Sequence, residues 1–156
     1  MTTTLSLTSS SFAEGQPIPR RFTCDAENVS PSLAWDGVPP NTRSLALIAD
    51  DPDAPAGTWV HWVIYNIPPT LTGLAEGVPA TDSVLAGTAQ GTNDFRRIGY
   101  GGPCPPAGKP HRYFFKLYAL DTTLAIKPGA TKSELTRAFE GHILAQGQLI
   151  GTYKRG

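Results

Sequence analysis

A 156-residue chain with 13 basic and 13 acidic side chains has no net charge, and its basic pairs (Arg20-Arg21, Arg96-Arg97, Lys154-Arg155) are scattered, which excludes the footprint of a nucleic-acid binder. The length fits one domain, residues 1–156, with a real core, and 16 glycines and 15 prolines lying between short apolar runs favour an all-β domain with long connections. No stretch approaches the roughly 20 apolar residues of a membrane span, and the N-terminus has neither a basic n-region nor an apolar run of signal-peptide length, so a soluble, cytoplasmic protein is expected.

Leu5 and Leu7 alternate with Thr and Ser and predict a first, half-exposed strand. Pro17 and Pro19 interrupt Phe12 to Thr23, so pairing there is expected to be short or at an edge. Leu33 and Trp35 share one face of a second strand that ends at the turn signal Pro39-Pro40-Asn41, and Ser44 to Ala49 is apolar enough to be buried on both faces. Asp50-Asp51-Pro52-Asp53-Ala54-Pro55 then reads as a rigid acidic loop outside any helix or central strand, because proline fixes φ and removes donors. Thr58 to Ile67, rich in β-branched and aromatic residues, predicts a strand. Its alternation puts Trp59, His61, Val63 and Tyr65 on one face and Val60, Trp62, Ile64 and Asn66 on the other. Pro68 to Ser83 is turn-like, and Val84 to Tyr100 predicts irregular structure with short strand fragments.

Gly99 to Leu120 joins a Gly/Pro loop to an aromatic strand. Glycines at 99, 101, 102 and 108 and prolines at 103, 105, 106 and 110 suit tight turns and bare backbone whose N–H groups could face a ligand. In His111 to Leu120, the residues His111, Tyr113, Phe115, Leu117 and Ala119 alternate with Arg112, Phe114, Lys116, Tyr118 and Leu120. Both faces are largely apolar, as an interior strand requires, and the polar tips of His111 and Tyr113 stand where the strand leaves the loop, a place for a pocket mouth. Leu124 and Ile126 predict a brief strand stopping at Pro128-Gly129. Thr131-Lys132-Ser133-Glu134 matches a capping box, and Leu135, Ala138, Phe139, His142 and Ile143 follow at helical spacing toward Gly147. Gln148 to Tyr153 reads as a final strand.

Asp51 and Asp53 are read either as paired pocket acids or as turn residues that bond nearby N–H groups. His61 alone would be a core histidine; two aspartates and His111, also at strand ends beside Pro/Gly loops, favour a pocket. Asp and His are acceptable zinc or iron ligands, but no ligand spacing supports a metal. Cys104 lies between two prolines, away from any helix N-terminus that would activate it beside His111. Cys24 and Cys104 sit far apart without a CxxC spacing or a Cys/His cluster, so they signal no disulfide framework, and reduced thiols are the expectation for a cytoplasmic protein. GxSxG, HExxH and P-loop signatures are missing, so no catalytic residue, cofactor or metal is expected.

Four stretches in series, Phe22 to Trp35, Asp51 to Pro55, Trp59 to Pro68 and Gly99 to Leu120, resemble the phosphatidylethanolamine-binding protein family in its short bacterial and archaeal branch. The resemblance implies an antiparallel β-sandwich with a large central sheet, a smaller sheet and few helices, and a small pocket at one end for phosphate, acetate or phosphoethanolamine-like anions. Carried across by motif, the pocket wall would be Asp51, Pro52 and Asp53 from the acidic loop and Trp59 and His61 from the next strand. The central element would add Tyr100, Gly102, Cys104, Pro105, His111 and Tyr113. Cys104 stands where animal members carry Gly, and animal members continue into a C-terminal helix beyond the final strand. The resemblance further implies binding and regulation of a partner, such as a kinase or serine protease, in place of catalysis; the alternative class is a small hydrolase using the Asp/His pocket. A homodimer and a cis Ala54–Pro55 bond, with Gly57–Thr58 as a second cis candidate, are also implied.

Overall fold

A computed structural model describes residues 3–84 and 87–155. In chain order its strands are β1 (Thr3–Thr4), β2 (Ser6–Thr8), β3 (Leu33–Asp36), β4 (Ser44–Asp51), β5 (Trp59–Ile67), β6 (Gly73–Leu74), β7 (Ala89–Gln90), β8 (His111–Leu120) and β9 (Ile143–Tyr153). A helix, α1 (Lys132–Phe139), lies between the last two, and a 3-10 turn covers Arg20–Phe22. Six strands form one sheet in the order β1-β9-β8-β4-β5-β7, and β2-β3-β6 form a second. Pairing is antiparallel throughout except between β1 and β9. The architecture is the mostly-β, two-sheet sandwich expected.

Alternation along β4 explains why its sequence is apolar on both sides. Leu45, Leu47 and Ala49 face the small sheet, joining Leu7, Leu33, Trp35 and Leu74 in one core. Ala46 and Ile48 face the other way and pack with Leu135 and Phe139 of α1 in a second core. The large sheet is thus covered on both faces. The predicted first strand divides at Leu5: β1 pairs with β9 in the large sheet while β2 pairs with β3 in the small one, and Leu5 and Leu7 both enter the core between them.

Several expectations need correction. β4 does not stop before the acidic loop but runs through Asp51, because both aspartates find partners at the strand end. Alternation sends Asp50 to the helix side, where Lys132 meets its carboxylate at 2.7 Å, and Asp51 to the sandwich side. The single alternation expected along β5 is broken twice. Ala49 pairs with Trp62 and Asp50 with Val60, so His61 is an extra residue; Leu45 and Leu47 pair with Ile67 and Ile64, so another extra residue falls near Asn66, whose φ is 54°. Bulges of this kind re-aim side chains. As a result Trp62 and Ile64 lie in the core with Tyr113, and Val63 and Tyr65 lie in the core with α1, opposite to the expected assignment for Val63 and Tyr65 relative to His61.

Leu124 and Ile126 form no strand; the Asn66 amide instead bonds both the N–H and the carbonyl of Leu124, holding that segment as a loop. The capping box on Thr131 and Glu134 is present, but α1 ends at Phe139, because Gly141 turns the chain at φ 82° and Ile143 onward pairs with β8. Gly147 is therefore not a helix stop. A Cβ there would lie 2.2 Å from the Leu5 carbonyl oxygen, so glycine lets the N-terminal strand approach β9. Val84 to Tyr100 is, as expected, irregular with short strand fragments: β7 forms at Ala89–Gln90, and Leu85 and Ala86 lie outside the described residues.

The two cysteines are not free thiols: Cys24 and Cys104 form a disulfide with an S–S distance of 2.04 Å. Sequence spacing could not reveal it, since the chain brings the partners together only where the Cys24 N–H meets the Pro103 carbonyl across the sandwich end. No peptide bond among the described residues is cis, so the cis expectation for Ala54–Pro55 and Gly57–Thr58 is overturned. A trans Pro55 follows Ala54 in a tight turn closed by the Gly57 N–H on the Ala54 carbonyl, a position for which proline's fixed φ is suited. Among the described residues no helix is long and apolar enough to cross a membrane.

Candidate functional site

The C-terminal end of β4 and the starts of β5 and β8 meet at one end of the large sheet because the three strands are antiparallel neighbours. Together with the 103–106 loop they enclose a cavity of about 210 Å³ lined by Asp51, Trp59, His61, Cys104, Pro105, His111 and Tyr113, with Ala54, Pro55, Phe95 and Pro106 completing the wall. Seven of the eleven site residues expected from the sequence are in this wall.

Asp51 serves both readings offered for it. Its Oδ1 accepts the Asp53 N–H at 2.7 Å, shaping the turn, and its Oδ2 accepts the Nδ1–H of His111 at 2.7 Å in a buried pair. The second histidine is arranged differently. His61 Nδ1 lies 2.6 Å from the Gly101 carbonyl, which can only accept, so Nδ1 carries the proton and Nε2 of the neutral ring is an acceptor. The Gly101 N–H donates back to the His61 carbonyl. Burial pushes His61 below the ordinary imidazole value, only partly offset by the Gly101 carbonyl and the Asp51 charge.

Two donors in the wall have no partner among the described residues. The Tyr113 hydroxyl and the Trp59 Nε1–H are both buried and make no hydrogen bond to the protein. Burial, reinforced by the charge of Asp51, pushes the Tyr113 phenol far above its usual value, so it stays a donor. Aromatic contacts fix these groups: His61 is edge-on to Tyr113 at 5.2 Å, and Phe95 is edge-on to both Trp59 and His61.

Four expected residues lie outside this wall. Asp53 turns to the far side of β8, where its carboxylate takes the Nε and Nη2 of Arg112 and the Arg112 N–H, each at 2.9 Å. The Arg112 side-chain bonds hold it at about 2, below the usual carboxylate range. Pro52 is exposed beside it. Tyr100 donates to the Phe22 carbonyl and the Gly102 N–H donates to Asn28 Oδ1, so neither polar group is free for a ligand. Both line a neighbouring cavity of about 300 Å³ that shares Phe95 and Cys104 with the first. A Cβ at Gly102 would sit 2.1 Å from the Phe22 carbonyl oxygen, so this glycine serves close packing.

Phe95 is the wall residue that periodicity misses, since Thr92 to Arg97 has no regular pattern. Asn93 shapes its loop by accepting the N–H groups of Phe95 and Arg97, and Asp94 anchors it by accepting the Val60 N–H. The available signal was an aromatic directly after Asn93-Asp94, a turn-forming pair.

Fold and site together define a β-sandwich protein with a small, donor-bearing cavity at the end of its large sheet. The chain belongs to the phosphatidylethanolamine-binding protein family, whose model matches residues 8–154. It is 55% identical over 152 residues to a UPF0098 protein of Methanothermobacter thermautotrophicus, covering 97% of this chain and 100% of that one. A UPF0098 protein of Aquifex aeolicus is 50% identical over 94% of this chain and 86% of its own length. Among solved structures, a phosphatidylethanolamine-binding protein homolog from Chlamydia trachomatis matches with a TM-score of 0.90 at 41% identity, covering 99% of this chain and 100% of that chain. E. coli YbcL, described as a member of the mammalian family, matches with a TM-score of 0.91 at 34% identity, covering 97% of this chain and 99% of that chain.

Proposed function

We propose that this chain binds a small oxyanion, such as phosphate, a carboxylate or a phosphoethanolamine-like headgroup, in the end cavity and regulates a protein partner by stoichiometric binding, without turnover. The observation that carries this reading is a pair of buried, unpartnered donors belonging to Tyr113 and Trp59, two residues that line one cavity. An orphaned buried donor costs about 1–3 kcal/mol, and a ligand oxygen would relieve it. His111 adds a ring oriented by Asp51, as a second polar group orients a binding histidine. Calorimetric titration with phosphate, acetate and phosphoethanolamine, compared with His111→Ala and Trp59→Phe, tests the reading; affinities unchanged by both variants would refute it.

The kinase or serine protease target, the homodimer and the cytoplasmic location belong to the same proposal. One-to-one inhibition that does not grow through target cleavage supports the regulatory role, and a dimer mass by light scattering supports the assembly. A cytoplasmic location requires the Cys24–Cys104 pair to stay oxidised against cellular thiols, or to function reduced. Incubation with a panel of phosphate and carboxylate esters tests the hydrolase alternative, and turnover lost in Asp51→Asn would establish it in place of binding.

A further inference from the structure

We infer that Cys24–Cys104 is a thiol–disulfide exchange site for a dithiol, and that opening it slackens the wall shared by the two cavities. The argument starts from the composition of that wall. Pro103, Pro105 and Pro106 have no N–H, so three of the four residues from 103 to 106 cannot donate to any neighbour. The described polar anchors of the segment are the Pro103 carbonyl, which accepts the Cys24 N–H at 3.1 Å, and Arg155 Nη1, which reaches the Pro105 carbonyl at 3.4 Å and Cys104 Sγ at 3.9 Å. The disulfide is its covalent tie to the rest of the sandwich. Cys104 lines both cavities and Pro105 and Pro106 line the first, so the held segment is the wall itself.

Access and charge favour exchange at Cys104. The residue is exposed whereas Cys24 is half-buried, and Arg155 Nη1 stands 3.9 Å from Cys104 Sγ. The Nη2 of Arg155 pairs with Asp25 at 3.0 Å, so the carboxylate lies on the Cys24 side while the Nη1 face is turned to Cys104, where it draws an attacking thiolate to that sulfur and offsets part of the charge of a Cys104 thiolate. In the first step a dithiol sulfur bonds to Cys104 Sγ, the Cys24–Cys104 bond breaks, and Cys24 leaves as a thiolate that takes up a proton. In the second, the other dithiol sulfur attacks its partner in the mixed disulfide, releasing Cys104 and closing the dithiol into its own disulfide. The protein gains two electrons and two protons and the dithiol loses them.

The effect on ligand rests on the oxyanion-binding reading, while the exchange itself does not. The full chain is equilibrated in dithiothreitol buffers of graded ratio, free thiols are counted by maleimide mass addition, and circular dichroism follows folding. Inorganic phosphate is then titrated into the oxidised and reduced forms. We expect opening in the folded state, slowed several-fold in Arg155→Gln, and phosphate binding about tenfold weaker after reduction and in Cys24→Ser. By reciprocity, saturating phosphate then makes the pair tenfold harder to reduce, about 30 mV for two electrons. Opening only on unfolding would overturn the exchange site. Equal phosphate affinity in both redox forms would overturn the coupling. If the oxidised chain binds no phosphate, the functional reading fails separately, and hydrogen exchange at residues 99–108, faster on reduction or unchanged, still decides whether the wall slackens.

Discussion

Replacing Tyr113 by Phe is expected to make the empty protein more stable and the liganded one weaker. The hydroxyl is buried and unpartnered, on a strand whose neighbours Phe115 and Leu117 are in the core, so its removal deletes a polar atom without opening a large void. The full penalty for an unsatisfied buried group is about 1–3 kcal/mol. Tyr113 lines a cavity of about 210 Å³, so a small shift of the ring brings its hydroxyl to water; the lower end therefore applies and the gain is about 1 kcal/mol. For a chain of 156 residues that is a rise in Tm of about 2–4 °C. Phosphate affinity should fall about tenfold, one hydrogen bond to a charged acceptor contributing about 1.5 kcal/mol. The assay is a thermal melt by circular dichroism without ligand and at saturating phosphate, with calorimetry on the same samples. The two effects have opposite signs, which a merely structural hydroxyl would not produce. A ligand-free Tm that falls in Tyr113→Phe would refute the reasoning, because the hydroxyl would then have a partner within the protein.

The disulfide closes a separation of 80 residues, for which loop-closure entropy gives at most about 4.5 kcal/mol at 25 °C and 2–4 kcal/mol is typical. Urea unfolding of Cys24→Ser with Cys104→Ser should show a loss in that range with the fold retained, and a loss below about 1 kcal/mol would contradict a formed crosslink. His61, with its folded value held below 6.5 by burial, binds fewer protons folded than unfolded in the window just under 6.5. Its contribution to stability is therefore complete above that pH and is lost as pH falls through the lowered value; the urea midpoint should drop from pH 7 toward 5 less steeply in His61→Gln, and equal slopes would exclude the effect. Sulfate, which carries no proton near neutrality, should bind more weakly than phosphate at pH 6; calorimetry showing equal affinities would mean that the neutral His61 Nε2 accepts nothing from the ligand.

An all-β domain and the strand-end cluster of Asp51, His61, His111 and Tyr113 were legible because they follow from strand alternation and from the Pro/Gly boundaries of strands, whereas the two-sheet sandwich and the rest of the cavity wall came from the family resemblance. His111 and Tyr113 share a face two residues apart on β8, and no tertiary information is needed to see it. What alternation cannot supply is where it breaks. The extra residue at His61 turns both His61 and Trp62 to the sandwich side, and nothing in the run Trp59 to Ile67 marks the slip, since every residue there is compatible with either core. Pairing was equally hidden: the sequence names no partner for Asp51, and it is His111 because β4 and β8 are hydrogen-bonded neighbours. The helix was recognised at its start, where the capping box is local, and misjudged at its end, where pairing of β9 with β8 is not.

These partnerships bear on how a cavity containing a carboxylate can take an anion. Among the described residues no Lys or Arg lines the cavity, and Asp51 alone would repel a negative ligand. Its charge, however, is engaged by the His111 Nδ1–H and the Asp53 N–H, while Arg112 draws the second carboxylate, Asp53, to the far side of the strand. Only one acid would thus face an anion bound as proposed, and that one is already hydrogen-bonded. What the proposed anion would meet is then a set of neutral groups: two unpartnered donors and a histidine whose neutral ring offers a lone pair. Such a set suits an oxyacid that keeps one proton, because the donors take its bare oxygens and the imidazole takes its hydroxyl. In the proposed role, selectivity would come from the fit of donors and acceptors within the cavity, with the Asp51–His111 pair holding the strand ends that carry them.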